Sequence, residues 1–137
     1  AVAVLLPLTE DILYQTPENA WGNLGWAYFE LGKLDPAIDA LRRSIAAQPQ
    51  FCVGNHRLGL AYERRGDYPL AAEAFTRALE TNVPGCNGIQ EAWAGRARAR
   101  ERLGDPAAAR SDLERCVALS ASTKVGKECS SILAKLK

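Results

Sequence analysis

The chain reads as an all-α, right-handed superhelical stack of helix pairs, and three observations lead there. Residues of the same type recur 34 positions apart, every strong segment has helical rather than strand periodicity, and Gly, Pro and Asp fall between those segments. The recurrence is plainest at Leu24-Gly25, which returns as Leu58-Gly59. Around it, Tyr28, Gly32, Ala37 and Leu41 return as Tyr62, Gly66, Ala71 and Phe75. A weaker third copy runs Trp93, Ala97, Gly104, Ala109 and Leu113.

Bulky, glycine, aromatic, glycine and alanine positions at that period resemble the tetratricopeptide repeat (TPR). Each repeat is a helix A and a helix B that bury their faces only against neighbours, so stacking makes a continuous core. The steric logic expected here is close approach of A to B at Gly25 and Gly59, with the small Ala37 and Ala71 opposite. Tyr28, Tyr62, Leu41 and Phe75 then fill the space between one pair and the next.

Taken in order, residues 1–16 carry helical apolar spacing (Leu5, Leu8, Ile12, Leu13) and fit helix B of a preceding, truncated repeat. The first complete repeat spans 17–51: Thr16-Pro17-Glu18 is a cap, proline and first-turn acid, so helix A runs to about Leu31 and stops at Gly32. Asp35-Pro36 repeats the device and opens helix B, which ends before Pro49. The second repeat spans 52–85, with Gly66-Asp67 between its helices, and the third spans 86–121, with Gly104 at the turn and Asp105 capping. Four extra residues, about Cys86 to Ile89, enter before the third repeat. Residues 122–137 form an amphipathic terminal helix (Val125, Ile132, Leu133 and Leu136 inside; Lys124, Lys127, Lys135 and Lys137 outside), the cap that a repeat array needs. The whole is one domain, expected to be intact at its C-terminal end and cut at its N-terminal end.

Composition narrows the function. In 137 residues, 17 basic and 16 acidic side chains leave a net charge of +1, so no global field favours nucleic acid or an anionic membrane. No apolar run approaches the roughly 20 residues that span a bilayer. The apolar start, Ala1 to Leu6, lacks a basic flank and meets Pro7, so it does not read as a signal peptide; with no Met present, it reads as a shortened piece of something longer. The run Arg96, Arg98, Arg100, Arg102 suggests phosphate contact, but alternate arginines point to different faces and Glu91, Glu101 and Asp105 are at hand to pair with them. Arg96 and Arg100 also stand where the repeat wants Leu and an aromatic.

Four cysteines are a heavy load for a helical repeat. Cys52 and Cys86 lie one repeat apart, at neighbouring helix ends about ten ångströms from each other, and the Gly85-Cys86-Asn87-Gly88 loop has the freedom to close that gap. Cys116 on the last helix B faces the capping helix that carries Cys129. Local bridges Cys52–Cys86 and Cys116–Cys129 are therefore expected, in an oxidising compartment. Two readings stay beside them. Free buried thiols pack as small apolar residues, and Cys52, His56 and Cys86 present three metal ligands without a fourth. Cys52 with His56 is also a conceivable nucleophile pair, but no orienting acid or oxyanion hole accompanies it, so no enzyme, cofactor or metal is expected.

A binding surface is what such a stack makes by default. Its inner wall should carry Asn19, Gly22, Asn23, Trp26 and Phe29, then Val53, His56, Arg57, Leu60 and Glu63, then Glu91, Ala94, Arg98 and Glu101. The candidate protein-binding residues are Asn19, Asn23, Trp26, Phe29, His56, Arg57 and Leu60, whose aromatic and amide groups suit a peptide or a protein surface. TPR clamps that hold chaperone C-termini use Lys and Asn at fixed groove positions for the terminal carboxylate; Trp26, Leu60 and Arg98 stand here instead of Asn, so that role is not expected.

The stretch Leu13-Tyr14-Gln15-Thr16-Pro17-Glu18-Asn19-Ala20-Trp21-Gly22-Asn23-Leu24-Gly25 resembles the repeat junction of the TPR pilotins, lipoproteins of type IV pilus biogenesis, and the four cysteines are similar to those of a pilotin from gliding soil bacteria. The resemblance implies the periplasmic part of an outer-membrane lipoprotein that assists assembly of the pilus secretin, with its lipid anchor outside this chain. A generic scaffold or co-chaperone-like adaptor, cytosolic or periplasmic, is the alternative.

Overall fold

The computed structural model describes residues 16–81 and 83–136. The segment expected to be helix B of a preceding repeat lies outside the described residues, apart from Thr16. Seven α-helices follow: α1 (Pro17–Glu30), α2 (Leu34–Ala47), α3 (Cys52–Arg65), α4 (Tyr68–Leu79), α5 (Gln90–Arg102), α6 (Pro106–Leu119) and α7 (Lys124–Lys135). A single 3-10 turn, Cys86–Gly88, occupies the inserted loop, and no strand occurs among the described residues. Helices α1, α3 and α5 are the A helices and α2, α4 and α6 their B partners; each pair is antiparallel and packs on the next, and α7 closes the stack against α6.

Three identical turns create the pairs. Gly32, Gly66 and Gly104 have φ of +77°, +86° and +81°, the left-handed conformation that only glycine adopts cheaply. At each, two backbone N–H groups reach back to the last turn of helix A: Lys33 to Tyr28 O and Gly32 to Phe29 O, Asp67 to Tyr62 O and Gly66 to Glu63 O, Asp105 to Arg100 O and Gly104 to Glu101 O. These bonds use carbonyls that the helix end would otherwise leave orphaned. Asp67 and Asp105 then cap helix B, accepting from Leu70 N and Ala108 N. The first repeat differs from expectation. Helix α2 opens at Leu34 with Lys33 at the cap position and no side-chain cap bond, so Asp35-Pro36 lies inside the first turn. The equivalent of the capping Asp67 is Lys33, which has no acceptor to offer. Thr16 holds the cap position of α1 without a side-chain bond.

The close approaches fall on large side chains rather than on alanines. A Cβ on Gly25 would sit 2.6 Å from Leu41 Cγ, and one on Gly59 2.7 Å from the Phe75 ring. Ala37 contributes its backbone carbonyl beside Gly25, 3.2 Å from that Cβ position. Phe75 is fully buried and also touches the next repeat, where a Cβ on Gly95 would be 2.5 Å from its ring. One apolar cluster runs from Phe29 to Ala99, a second joins α5, α6 and α7, and Trp93 packs against both.

The arginines of α5 do not pair as expected with Glu91, Glu101 and Asp105. Arg96 makes a two-pronged contact with buried Asp112 (2.8 and 3.0 Å) and reaches Thr76 Oγ1 at 3.2 Å; Arg100 joins the same carboxylate at 2.9 Å. Arg98 grips Glu63 of the preceding repeat at 2.6 and 2.9 Å. Superhelical stacking carries α3 and α6 against α5, and those helices bring acids that sequence neighbours on α5 cannot match. Arg102 lies over Tyr68.

Covalent and polar ties hold the ends of the third repeat. Cys52 is joined to Cys86 (Cα–Cα 5.9 Å) and Cys116 to Cys129 (6.4 Å). Thr123 caps α7 by accepting from Gly126 N, and its hydroxyl donates to Gln90 Oε1 at 2.7 Å. Gln90 in turn donates to the carbonyls of Cys116 and Ser120, so one buried amide fixes the α6–α7 turn.

Removing one partner of a buried ion pair strands the other charge, at about 3–5 kcal/mol. Asp112→Ala should therefore lose stability of that order in urea unfolding. The triple change Arg96→Leu, Arg100→Tyr, Asp112→Ala installs the residues that stand at the same places in repeat two (Leu58, Tyr62, Ala74), and it should recover most of the loss. Equal stability of Asp112→Ala and the parent would show that the network carries no such load.

Candidate functional site

Adjacent A helices touch one another directly, while adjacent B helices stand further apart, so the stack curls with α1, α3 and α5 on its inner side. Two ties cross that inner face: Arg57 Nη1 donates to the Gly22 carbonyl at 3.4 Å, and Arg98 holds Glu63. The second tie pushes the Arg98 pKa up, because its hydrogen bond to Glu63 favours the charged form. That guanidinium is committed within the chain.

The middle of the inner face is built by Trp26 and Phe29 of α1 with Arg57 and Arg64 of α3. The two rings stack with centroids 4.8 Å apart and planes inclined by 15°. Arg57 lies over the Trp26 ring at 5.1 Å and Arg64 over Phe29 at 4.1 Å. Cations sit over aromatic faces because the ring quadrupole is negative there. The arrangement changes the expected surface. Phe29 is buried in the core cluster, beneath Arg64, because its position on α1 turns it toward α3. Trp26 is half-buried and remains accessible, and Asn19 and Asn23, one turn apart on α1, are exposed. Leu60 is half-buried against the core.

His56 is half-buried, with its Nε2 turned inward. Its ring packs against Phe75 at 5.9 Å between centroids, and buried Nε2 has no hydrogen-bond partner among the described residues. Burial lowers its pKa from the ordinary 6.5; Glu91 opposes the shift, Arg57 and Arg98 add to it, and Glu63 opposes it. The imidazole is thus held neutral, as a packing element. Because Cys52 and Cys86 are bonded to each other, neither sulfur is a thiolate, so neither a Cys52–His56–Cys86 metal set nor a Cys52–His56 nucleophile has its sulfur.

Arg57 is the electrostatically distinctive group. Burial pulls its pKa down, with Glu30 opposing, and among the described residues no carboxylate lies within ion-pair distance. Arg64 likewise makes no ion pair among them. The inner face therefore offers two cations laid over aromatic rings, with amides on one flank. Two participants escaped the reading of the sequence. Arg64 carries no signal there, since it sits in a run of charge at a helix end. Asp112 does carry one: an acid within the apolar stripe formed by Ala109, Leu113 and Cys116.

Sequence models of the tetratricopeptide repeat match residues 18–51 and 56–122, and the chain belongs to that family. Human Superkiller complex protein 3 is 33% identical over 82 residues, and Xenopus laevis Tetratricopeptide repeat protein 37 is 32% identical over 82; both matches cover 60% of this chain and 5% of the relative. Among solved structures, the first TPR of Spaghetti (RPAP3) bound to the HSP90 peptide SRMEEVD superposes with a TM-score of 0.78 at 25% identity, over 87% of this chain and 89% of that one. The second TPR domain of human RPAP3, in complex with the HSP70 peptide SGPTIEEVD, gives 0.77 at 25% identity over 88% and 94%. The Yersinia enterocolitica type III secretion translocator chaperone SycD shares the fold, with a TM-score of 0.78 at 17% identity over 86% and 81%.

The His56 pKa has a consequence for stability. Well above pH 6.5 the imidazole is neutral in both folded and unfolded chains and contributes nothing to pH dependence. Below it, the unfolded chain takes up a proton that the folded ring resists, so stability falls as pH drops through the unfolded pKa toward the lower folded one. The stability difference between the parent and His56→Gln should shift against the parent between pH 7 and pH 5. A difference that stays constant over that range would place the ring in water.

Proposed function

We propose that this chain is a protein-binding module whose inner face holds an extended, acid-bearing segment of a partner. The observation that carries the reading is Arg57: a half-buried guanidinium laid over an accessible tryptophan, with no carboxylate of the described chain beside it. A partner's carboxylate there gains a charge-assisted hydrogen bond to a cation already partly desolvated. Trp26 supplies the large apolar contact, and Asn19 and Asn23 offer amides to the segment's backbone. The two RPAP3 domains support this, since each holds a peptide ending in Glu-Glu-Val-Asp on a stack of the same shape. The manner of holding differs, because Trp26, Leu60 and Arg98 stand where chaperone clamps use Asn, and Arg98 is occupied by Glu63.

Peptides selected from a random library on the immobilised protein should be enriched in Asp or Glu beside an apolar residue. Buried aromatic anchors carry much of such binding, so Trp26→Ala should weaken a selected peptide by about 2 kcal/mol at unchanged melting temperature. Arg57→Gln, which leaves the tryptophan in place, should weaken it as well and flatten its salt dependence. If both variants bind like the parent, the inner face is not the site.

A finer reading takes the partner to be the type IV pilus secretin and the chain to be the periplasmic part of an outer-membrane lipoprotein. It rests on the Leu13 to Gly25 junction and on two disulfides, which persist in oxidising compartments. In a pilus-bearing host, deleting the gene should leave the secretin monomeric, and the protein recovered from the envelope should resist alkylation until it is reduced. Normal secretin multimers in the deletion strain, or four free thiols, would return the chain to the generic adaptor reading.

A further inference from the structure

The outer side of the stack carries a second opening, independent of the inner face. Between α2 and α4 lies a cleft of about 320 Å3. Leu58 and Tyr62 of α3 close its floor, Ile45 and Leu70 form its walls, and Arg42, Glu73 and Arg77 stand at its edges. Leu70 is 38% exposed, one of the larger apolar side chains left open to water. Arg42 makes no ion pair among the described residues, and Arg77 meets only Glu73, one turn away on its own helix.

The next cleft along, between α4 and α6, shows what fills such a space. Stepping one repeat forward, with the four inserted residues counted where they intervene, Leu58 becomes Arg96, Tyr62 becomes Arg100, Ala74 becomes Asp112, Arg77 becomes Arg115 and Arg42 becomes Thr76. There the chain supplies its own contents. Asp112 draws Arg96 and Arg100 together, Arg96 adds a bond to Thr76, and Trp93 lies between Arg96 (5.1 Å) and Arg115 (5.5 Å). An aromatic ring and a carboxylate are thus both seated among arginines. In the first cleft the place of Asp112 is taken by Ala74, the floor is apolar, and the carboxylate of the lining, Glu73, stands at the edge on Arg77, which leaves Arg42 unanswered among the described residues.

We infer that the α2–α4 cleft is a second docking site, and that its occupant is a partner polypeptide presenting one large aromatic or aliphatic side chain beside a carboxylate. The apolar side chain enters over Leu58 and Tyr62 between Ile45 and Leu70, and the carboxylate meets Arg42, the cation of the cleft that has no acid of its own among the described residues. The volume suits one bulky side chain, at the small end of binding pockets. Because this site opens on the opposite side from Trp26 and Arg57, both are free to be filled at once. The module then joins two partners rather than gripping one.

The test uses the full chain, labelled with 15N and titrated with acetyl-Phe-Glu-Leu-amide, acetyl-Phe-Gln-Leu-amide and acetyl-Ala-Glu-Leu-amide. The Phe-Glu peptide should shift amides within 42–46 and 70–77 and saturate, and each of the other two should bind at least fivefold more weakly. Arg42→Gln should bring the Phe-Glu peptide down to the level of the Phe-Gln one. Leu70→Ser, at an exposed position that leaves the backbone cap intact, should weaken it at least fivefold. Shifts confined to the inner face of α1 and α3 would overturn this proposal while leaving the inner-face reading standing. Equal binding of the Glu and Gln peptides would overturn the charge complementarity. Concentration-dependent self-association abolished by Leu70→Ser would show that the occupant is a second copy instead.

Discussion

The stack depends on one packing arrangement: the Phe75 ring lodged between two glycines of successive A helices. Gly59 and Gly95 have no Cβ, and the ring occupies the space where those atoms would be. That contact sets how closely α4 approaches α3 within its repeat and how closely α5 follows in the next. The inner face, the outer cleft and the reach of Arg98 to Glu63 all inherit their dimensions from it. Close-packed interiors transmit such constraints because they have no slack to absorb a misplaced methylene. His56 packs on the same ring, so a burial that looks incidental belongs to the same joint.

The two halves of the molecule solve the same stacking problem differently. Repeats one and two meet through an apolar seam; repeats two and three share Phe75, and the third repeat adds a buried ion network between its own two helices, tied to Thr76 of the second. A buried ion pair is weak evidence for net stability, since desolvation offsets much of its attraction. It does enforce geometry, because each of three charged groups must find its partner or be stranded. Around this network sit Gln90, with three hydrogen bonds, and both disulfides, so the polar and covalent ties concentrate toward the C-terminal half. The surfaces at Trp26 and at Leu70 lie away from those devices.

Arginine accounts for both behaviours. Arg96, Arg98 and Arg100 are satisfied by carboxylates inside the chain. Arg57 and Arg64 lie over rings and make no ion pair among the described residues, so each keeps a modest attraction yet stays free to meet an incoming acid. The planar guanidinium makes both uses possible in one fold. The division between them marks which arginines build the structure and which face outward.

Much of the architecture was legible in the sequence because it is written locally. The three left-handed glycines and the caps at Asp67 and Asp105 need only the residues within one turn, so helix ends came within a residue or two nearly throughout. The misjudged start of α2 shows the limit of that rule: Asp35-Pro36 has the form of a cap, but register with Pro69-Leu70 places it inside the helix. What only the tertiary structure decided is which side chains meet across repeats. Glu63 and Arg98 are 35 residues apart, and Asp112 collects arginines from 12 and 16 residues away. Those meetings follow from the curvature and offset of packed helices. Helical periodicity tells which face a residue occupies; it does not say which neighbour that face is brought against, and so it could not show that Phe29 lies beneath the surface on which Trp26 and Arg57 stand.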